Sequence, residues 1–208
     1  MPTVQQLYVV THTEAQHHLD ELVGGWYDSH LTERGHHDAD RVAERLAVVI
    51  GEADVALYTS DLARTVETAA PIAARLGVTA TSLPDLREMS QGTAEGRPRA
   101  WLDERFVPAP DTNRLDHVSV DGSETKRTLA TRVFAAVDRI TADPCATKVV
   151  VTHGYAMTFV IAAWIRMPID AVGHVNFGAS PGGITLLEED DVHRNRAVRY
   201  LNDTSHLR

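Results

Sequence analysis

The sequence predicts an α/β fold: a three-layer sandwich whose central, mainly parallel sheet carries helices on both faces. Two observations predict it. Apolar runs of strand length, "LYVV", "DVALYTS" and "KVVVT", are separated by stretches in which apolar residues recur every three or four positions. Strands covered on both faces read as continuous apolar runs, and their alternation with helices builds parallel βαβ units. The chain has 208 residues, 43% of them hydrophobic and 24% charged. That suits one domain over 1–208, large enough to bury roughly 70% of its unfolded surface.

Taken in order, Leu7 to Val10 opens as a buried strand that ends in the polar triplet Thr11-His12-Thr13. Residues 37–50 place Ala39, Val42, Ala43, Leu46 and Val49 on one helical face, with charged residues between them. Asp54 to Ser60 reads as a second strand. A helix from about Asp61 to Leu76 stops at Gly77, where glycine accepts the left-handed conformation that ends a helix, and Pro71 marks a point where it could divide. The segment 83–122, rich in proline, glycine and charge, predicts an excursion of short helices and loops covering the site, with Trp101 and Phe106 as anchors. Helical spacing returns at Leu129, Val133, Val137 and Ile140. "KVVVTHG" is a third strand, Tyr155 to Ile165 a further helix, and "GGITLLEE" and "RAVRYLN" are strands joined by the acidic turn at Asp190 and Asp191.

Composition narrows the function. The net charge is −9, from 29 acidic and 20 basic residues, and no basic run is long enough to track a phosphate backbone, so nucleic acid is not an expected partner. Only Lys126 and Lys148 are lysines, and Cys145 is the single cysteine, which forbids an intrachain disulfide. No apolar stretch reaches membrane-spanning length and "MPTVQQ" carries no leader pattern, so a cytoplasmic location without membrane contact is expected. The oligomeric state is left open, a homodimer included.

Chemistry gathers at the strand ends. "THTE", "TSDLARTVETA" and "THGYA" follow three strands, and in a parallel sheet such ends converge on one edge. His12, His153 and Arg64 around helix N-termini make an anion site, with phosphate as the expected anion and a small anionic molecule as the expected partner. A histidine facing a phosphoryl group can attack it if an acid protonates the leaving oxygen, and Glu88 in "DLREMSQG" is the candidate, with Glu95 its neighbouring competitor. The pairs His17–His18 and His36–His37 suggest metal binding. No cysteine accompanies them, and adjacent histidines on a regular element are expected to diverge, so neither a metal nor another cofactor is expected.

The pattern resembles the histidine phosphatase superfamily, the phosphoglycerate mutase-like family. "VVTHTE" is similar to the family's strand ending in Arg-His-Gly-Glu, and "HLTERG" to its leucine-threonine-x-x-glycine stretch. "TSDLARTVETA", "LREMSQGTAEG", "DGSET" and "VVVTHG" resemble its later motifs, in the family's order over roughly 5–190. The resemblance implies that His12 accepts the phosphoryl group, that Arg64 and His153 hold its oxygens, and that Glu88 is acid and base. It also marks departures: Thr11 replaces the first arginine, Thr13 the following glycine, His18 a phosphate-contacting asparagine, and Asp38 a frequent glutamine. Thr11, Thr13 and His18 are carried as substrate-binding positions on that basis. Losing an arginine aimed at transferring oxygens costs about 3 kcal/mol if nothing replaces it. The function implied is hydrolysis of a small phosphomonoester through a phosphohistidine. The alternatives are a repurposed pocket performing a hydrolytic, lyase or isomerase step in a specialised pathway, and a non-catalytic binding protein.

Overall fold

The computed structural model describes residues 4–208. Strands β1 (Gln5–Thr11), β2 (Val55–Thr59), β3 (Ala80–Ser82), β4 (Thr147–Thr152), β5 (Ile184–Glu189) and β6 (Arg196–Asp203) form one sheet in the order β3-β2-β4-β1-β5-β6. The first four strands are mutually parallel, β5 runs antiparallel to β1, and β6 runs antiparallel to β5, as "mainly parallel" anticipates. The register sets Val9 beside Val150 and Thr11 beside Thr152, so β1 and β4 end level.

The period-2 geometry of β1 divides its residues between two cores. Leu7 and Val9 face a cluster with Val150, Leu187 and the helices α5 (Lys126–Ala142) and α6 (Gly154–Trp164). Tyr8 and Val10 face Val149, Val151 and the helices α2 (Glu33–Ile50) and α3 (Ala63–Leu76). The sandwich is therefore three layers, α2 and α3 over one face and α5 and α6 over the other.

Local chemistry sets the element ends. Thr32 caps α2 by accepting from Gly35 N at 2.9 Å, which starts the helix four residues before the apolar spacing at 37. Gly35 has no substitute there, because a Cβ would lie 2.0 Å from Glu14 O. Helix α3 runs unbroken through Pro71: it forfeits one backbone hydrogen bond, while Ala69 and Ile72 on either side stay buried against the sheet. The turn after β5 is held by the Asp190 carboxylate, which accepts from Val192, His193 and Asn195 N. Strand β3 escapes the sequence pattern because three residues, one half-buried and two exposed, leave no apolar signal.

Two irregular segments cross the carboxyl edge of the sheet. One follows β1 and includes a four-residue helix, α1 (Gln16–Leu19). The other is the excursion 83–122, with a short helix α4 (Arg99–Asp103). Backbone bonds Val23 N to Arg97 O, Gly96 N to Val23 O and Arg99 N to Glu21 O join the two. Val23, Ala94 and Val120 form a small core beneath them, with Trp101 packed against it. Phe106 is not an anchor as expected: it is 47% exposed, on the lining of a cavity. Among the described residues no helix is long and apolar enough to cross a membrane.

Candidate active site

A cavity of about 500 Å³ opens at the carboxyl edge of the sheet, and Thr11, His12, His17, His18, Arg64 and Glu88 lie on its wall. The excursion supplies another side of it through Met89, Arg99, Leu102 and Arg114.

His12 follows the last residue of β1 and is 8% exposed. Its Nδ1 lies 2.8 Å from Thr13 O, and Arg64 Nε donates to its Nε2 at 3.2 Å. A carbonyl needs a donor and a guanidinium needs an acceptor, so these bonds assign the proton to Nδ1 and engage the single Nε2 lone pair with Arg64. Burial, then the Arg64 charge, holds the His12 pKa well below the usual imidazole range. The ring is neutral at pH 7.

Arg64 is the second residue of α3, in its first turn, and is 1% exposed. It pairs with no carboxylate; Glu67, its possible helix-surface partner, contacts His30 and Leu31 N instead. Besides His12, Arg64 donates to Tyr27 O at 2.8 Å and Gly25 O at 2.7 Å. A guanidinium has five N–H groups, so two remain for a ligand. The carbonyls come from the segment after α1, which turns tightly at Gly24 and Gly25. A Cβ on Gly24 would meet His17 Nε2 at 2.9 Å, and Gly25 has a φ of +60°.

Glu88 approaches the first turn of α6. Its carboxylate accepts from Tyr155 N at 2.9 Å, Ala156 N at 3.1 Å and Met89 N at 2.8 Å. Burial nevertheless outweighs these donors and raises its pKa above the usual carboxylate value. The loop carrying it is fixed by Arg132, whose guanidinium donates to Asp85 O, Arg87 O and Glu88 O and pairs with Glu124. Trp26 Nε1 donates to the same Glu88 carbonyl at 2.7 Å. Glu95, the competitor, accepts from Ser90 Oγ and Gln91 N and is absent from the cavity wall.

His153 caps α6 and is wholly buried behind His12, the two rings edge to face with centroids 5.2 Å apart. Its Nε2 bonds Ser60 Oγ at 2.9 Å, while Nδ1 is buried with no partner. Such an orphan is rare enough to call for an explanation.

The departures resolve individually. Thr11 reaches the cavity, but its hydroxyl is engaged with Ser180 O at 2.5 Å. Thr13 is not a pocket group: it is absent from the cavity wall, and its hydroxyl donates to Gly35 O at 2.7 Å, linking the chain after β1 to α2. Asp38 lies on α2 beside Arg34 and His37, away from the cavity. His18 stacks parallel to His12, centroids 5.6 Å apart.

His17 is the residue sequence reasoning set aside. The expected divergence of adjacent histidines fails, because α1 is a single turn and the cavity wraps its end. The His17 and His18 rings lie 4.2 Å apart and both line the wall. His17 Nδ1 meets Ser29 Oγ at 2.6 Å, and burial with neighbouring cations lowers its pKa to about 3.

Comparison with known proteins decides the family. The sequence profile of the Histidine phosphatase superfamily (branch 1) matches residues 7–204. The chain belongs to the histidine phosphatase superfamily. A probable phosphoglycerate mutase GpmB from Yersinia pestis (strain Pestoides F) is 29% identical, over 97% of this chain and 94% of its own. Among solved structures, a mycobacterial glucosyl-3-phosphoglycerate phosphatase in complex with VO3 superposes with a TM-score of 0.79 at 21% identity. That superposition covers 96% of this chain and 100% of the other. The alpha-ribazole phosphatase from Shigella flexneri gives a TM-score of 0.78 at 24% identity, covering 95% of this chain and 96% of its own. The family sets the chain among phosphatase-like hydrolases.

Proposed function

We propose that the protein hydrolyses a small phosphomonoester through a phosphohistidine on His12. The observation that carries this reading is the state of His12: neutral, its proton fixed on Nδ1 by Thr13 O, and its Nε2 on the cavity wall, accepting from the buried Arg64, whose Nε–H passes to a phosphoryl oxygen when substrate binds and so frees the Nε2 lone pair. Attack by Nε2 on phosphorus breaks the bond to the leaving oxygen, and the positive charge developing on the ring is stabilised by the Thr13 carbonyl. Glu88, its pKa raised by burial, delivers a proton to that oxygen. As a carboxylate it then takes a proton from water, whose oxygen displaces His12 from phosphorus. The two free Arg64 N–H groups are suited to the phosphoryl oxygens, while His153 backs the His12 ring from behind the wall. Alongside the activity we propose a cytoplasmic setting, in keeping with the single cysteine.

One observation favours a second reading. Thr11 brings no charge and its hydroxyl is engaged elsewhere, so the anion site is weaker than one with two arginines. A pocket retuned to acid–base chemistry without phosphoryl transfer would use the same His12 and Glu88. Glu88→Gln separates the two. Under the phosphatase reading it slows alkyl phosphates about a hundredfold but spares phosphorylation by aryl phosphates, whose leaving oxygen hardly needs the proton. Absence of phosphate release from every ester by the unaltered protein supports the second reading.

A further inference from the structure

The cavity extends beyond the groups this chemistry uses. Arg114, in the excursion, and Lys126, the first residue of α5, both line it. They converge on one acceptor: Lys126 Nζ donates to Gly173 O at 2.7 Å and Arg114 Nε to the same oxygen at 3.3 Å. Arg114 makes one further bond, to Ala109 O. Among the described residues every partner is a backbone carbonyl, and neither cation has a carboxylate.

Two half-buried cations on one carbonyl repel each other across a short distance, with no anion between them. Lys126 also breaks a local rule, because a cation in the first turn of a helix opposes the helix dipole. Its neighbour Arg127 sits in the same turn but is offset by Asp116 and Asp170. Lys126 has no such offset. Burial and the Arg114 charge accordingly lower its pKa. Local rules are broken in this way where a ligand supplies the missing charge.

The pair is separate from the phosphoryl site. Arg64 is anchored on His12, Tyr27 O and Gly25 O, whereas Lys126 and Arg114 are anchored on Gly173 O, at the other set of elements lining the cavity. The same wall carries the apolar side chains Met89, Leu102, Phe106 and Ala109 beside the polar Arg99 and His117.

We propose that Arg114 and Lys126 form a second anion subsite, so that the substrate is a phosphomonoester that carries a second anionic group away from its phosphate. The inference rests on the phosphatase reading for the identity of the first group and on the Arg114–Lys126 pair for the second.

Equilibrium binding tests it without requiring turnover. The probes are non-hydrolysable ω-phosphonoalkanoates of increasing spacer length, each compared by calorimetry with its own methyl ester, and the matching bisphosphonates. At one spacer length the free acid binds about tenfold or more tighter than the ester, the factor one charge-assisted hydrogen bond supplies. The bisphosphonate arm shows whether carboxylate or phosphate is preferred. In the Arg114→Gln/Lys126→Gln double variant, which keeps donors for Gly173 O but no charge, the acid-to-ester ratio falls to near one. Each single variant lowers it partway while leaving one cation on the carbonyl. The wild-type ratio also shrinks with added salt, a readout that needs no variant. Equal binding of acid and ester at every length, or a ratio that survives both substitutions, overturns the proposal. Should no phosphate ester be hydrolysed while the acid preference appears and collapses as described, the subsite stands and the phosphatase reading alone fails.

Discussion

Acidification should unfold this protein through its buried histidines, and His17 gives the effect a magnitude. In the unfolded chain an imidazole titrates near 6.5, whereas in the fold burial and nearby cations lower the His17 pKa to about 3. Between those values the unfolded chain binds a proton that the folded one refuses, so stability falls as pH falls. Each pH unit removes about 1.36 kcal/mol, so from neutrality to about pH 4.5 the loss from His17 alone is on the order of 3 kcal/mol. The perturbation that isolates it is His17→Gln. This variant loses the contact with Ser29 Oγ, a cost of about 1 kcal/mol at every pH, but carries nothing to protonate. His12, His18 and His153, whose pKa values are also lowered, are present in both proteins and largely cancel. Urea unfolding from about pH 7.5 to 4.5 then shows the variant less stable at the alkaline end and more stable at the acid end. The difference between the two proteins changes by on the order of 3 kcal/mol across that range. A difference that does not move with pH refutes the claim that the fold holds His17 neutral.

Two further substitutions probe the site. Thr11→Arg breaks the bond to Ser180 O but restores a guanidinium to the phosphoryl pocket, and vanadate titration should show binding about tenfold tighter; weaker binding means the pocket has been reshaped for another group. Arg132→Met removes the donors to Asp85 O, Arg87 O and Glu88 O, so kcat for alkyl esters should drop about tenfold or more with KM little changed, and Lys should not rescue a five-donor role. A KM effect alone would show that Arg132 holds substrate rather than the loop of Glu88.

Much of this arrangement could be read from the sequence because it follows from strand ends. β1 and β4 are uninterrupted apolar runs since both faces of the sheet are covered, and parallel strands carry whatever follows them to one edge. His12, Arg64 and His153 meet for that reason. What could not be read depends on irregular backbone. His17 reaches the cavity only because α1 is one turn long and the Gly24–Gly25 bend packs against its ring. Thr13 looks like a pocket residue by adjacency, but the chain has already left the strand and turns its hydroxyl toward Gly35 O. Arg114 comes from an excursion without periodicity. For Lys126 a signal existed: a lysine opening a helix immediately after a threonine cap, against the dipole.

The central claim is that His12 takes the phosphoryl group, and trapping that adduct tests it most directly. The protein is mixed with a labelled aryl phosphate and quenched rapidly without acid, and the labelled peptide is located by mass spectrometry. The account predicts an acid-labile, base-stable phosphoryl group on His12, accumulating further in Glu88→Gln, where the activator of water is gone, and absent from His12→Ala together with all turnover. Full turnover of a phosphate ester by His12→Ala, or label on any other residue, would contradict it.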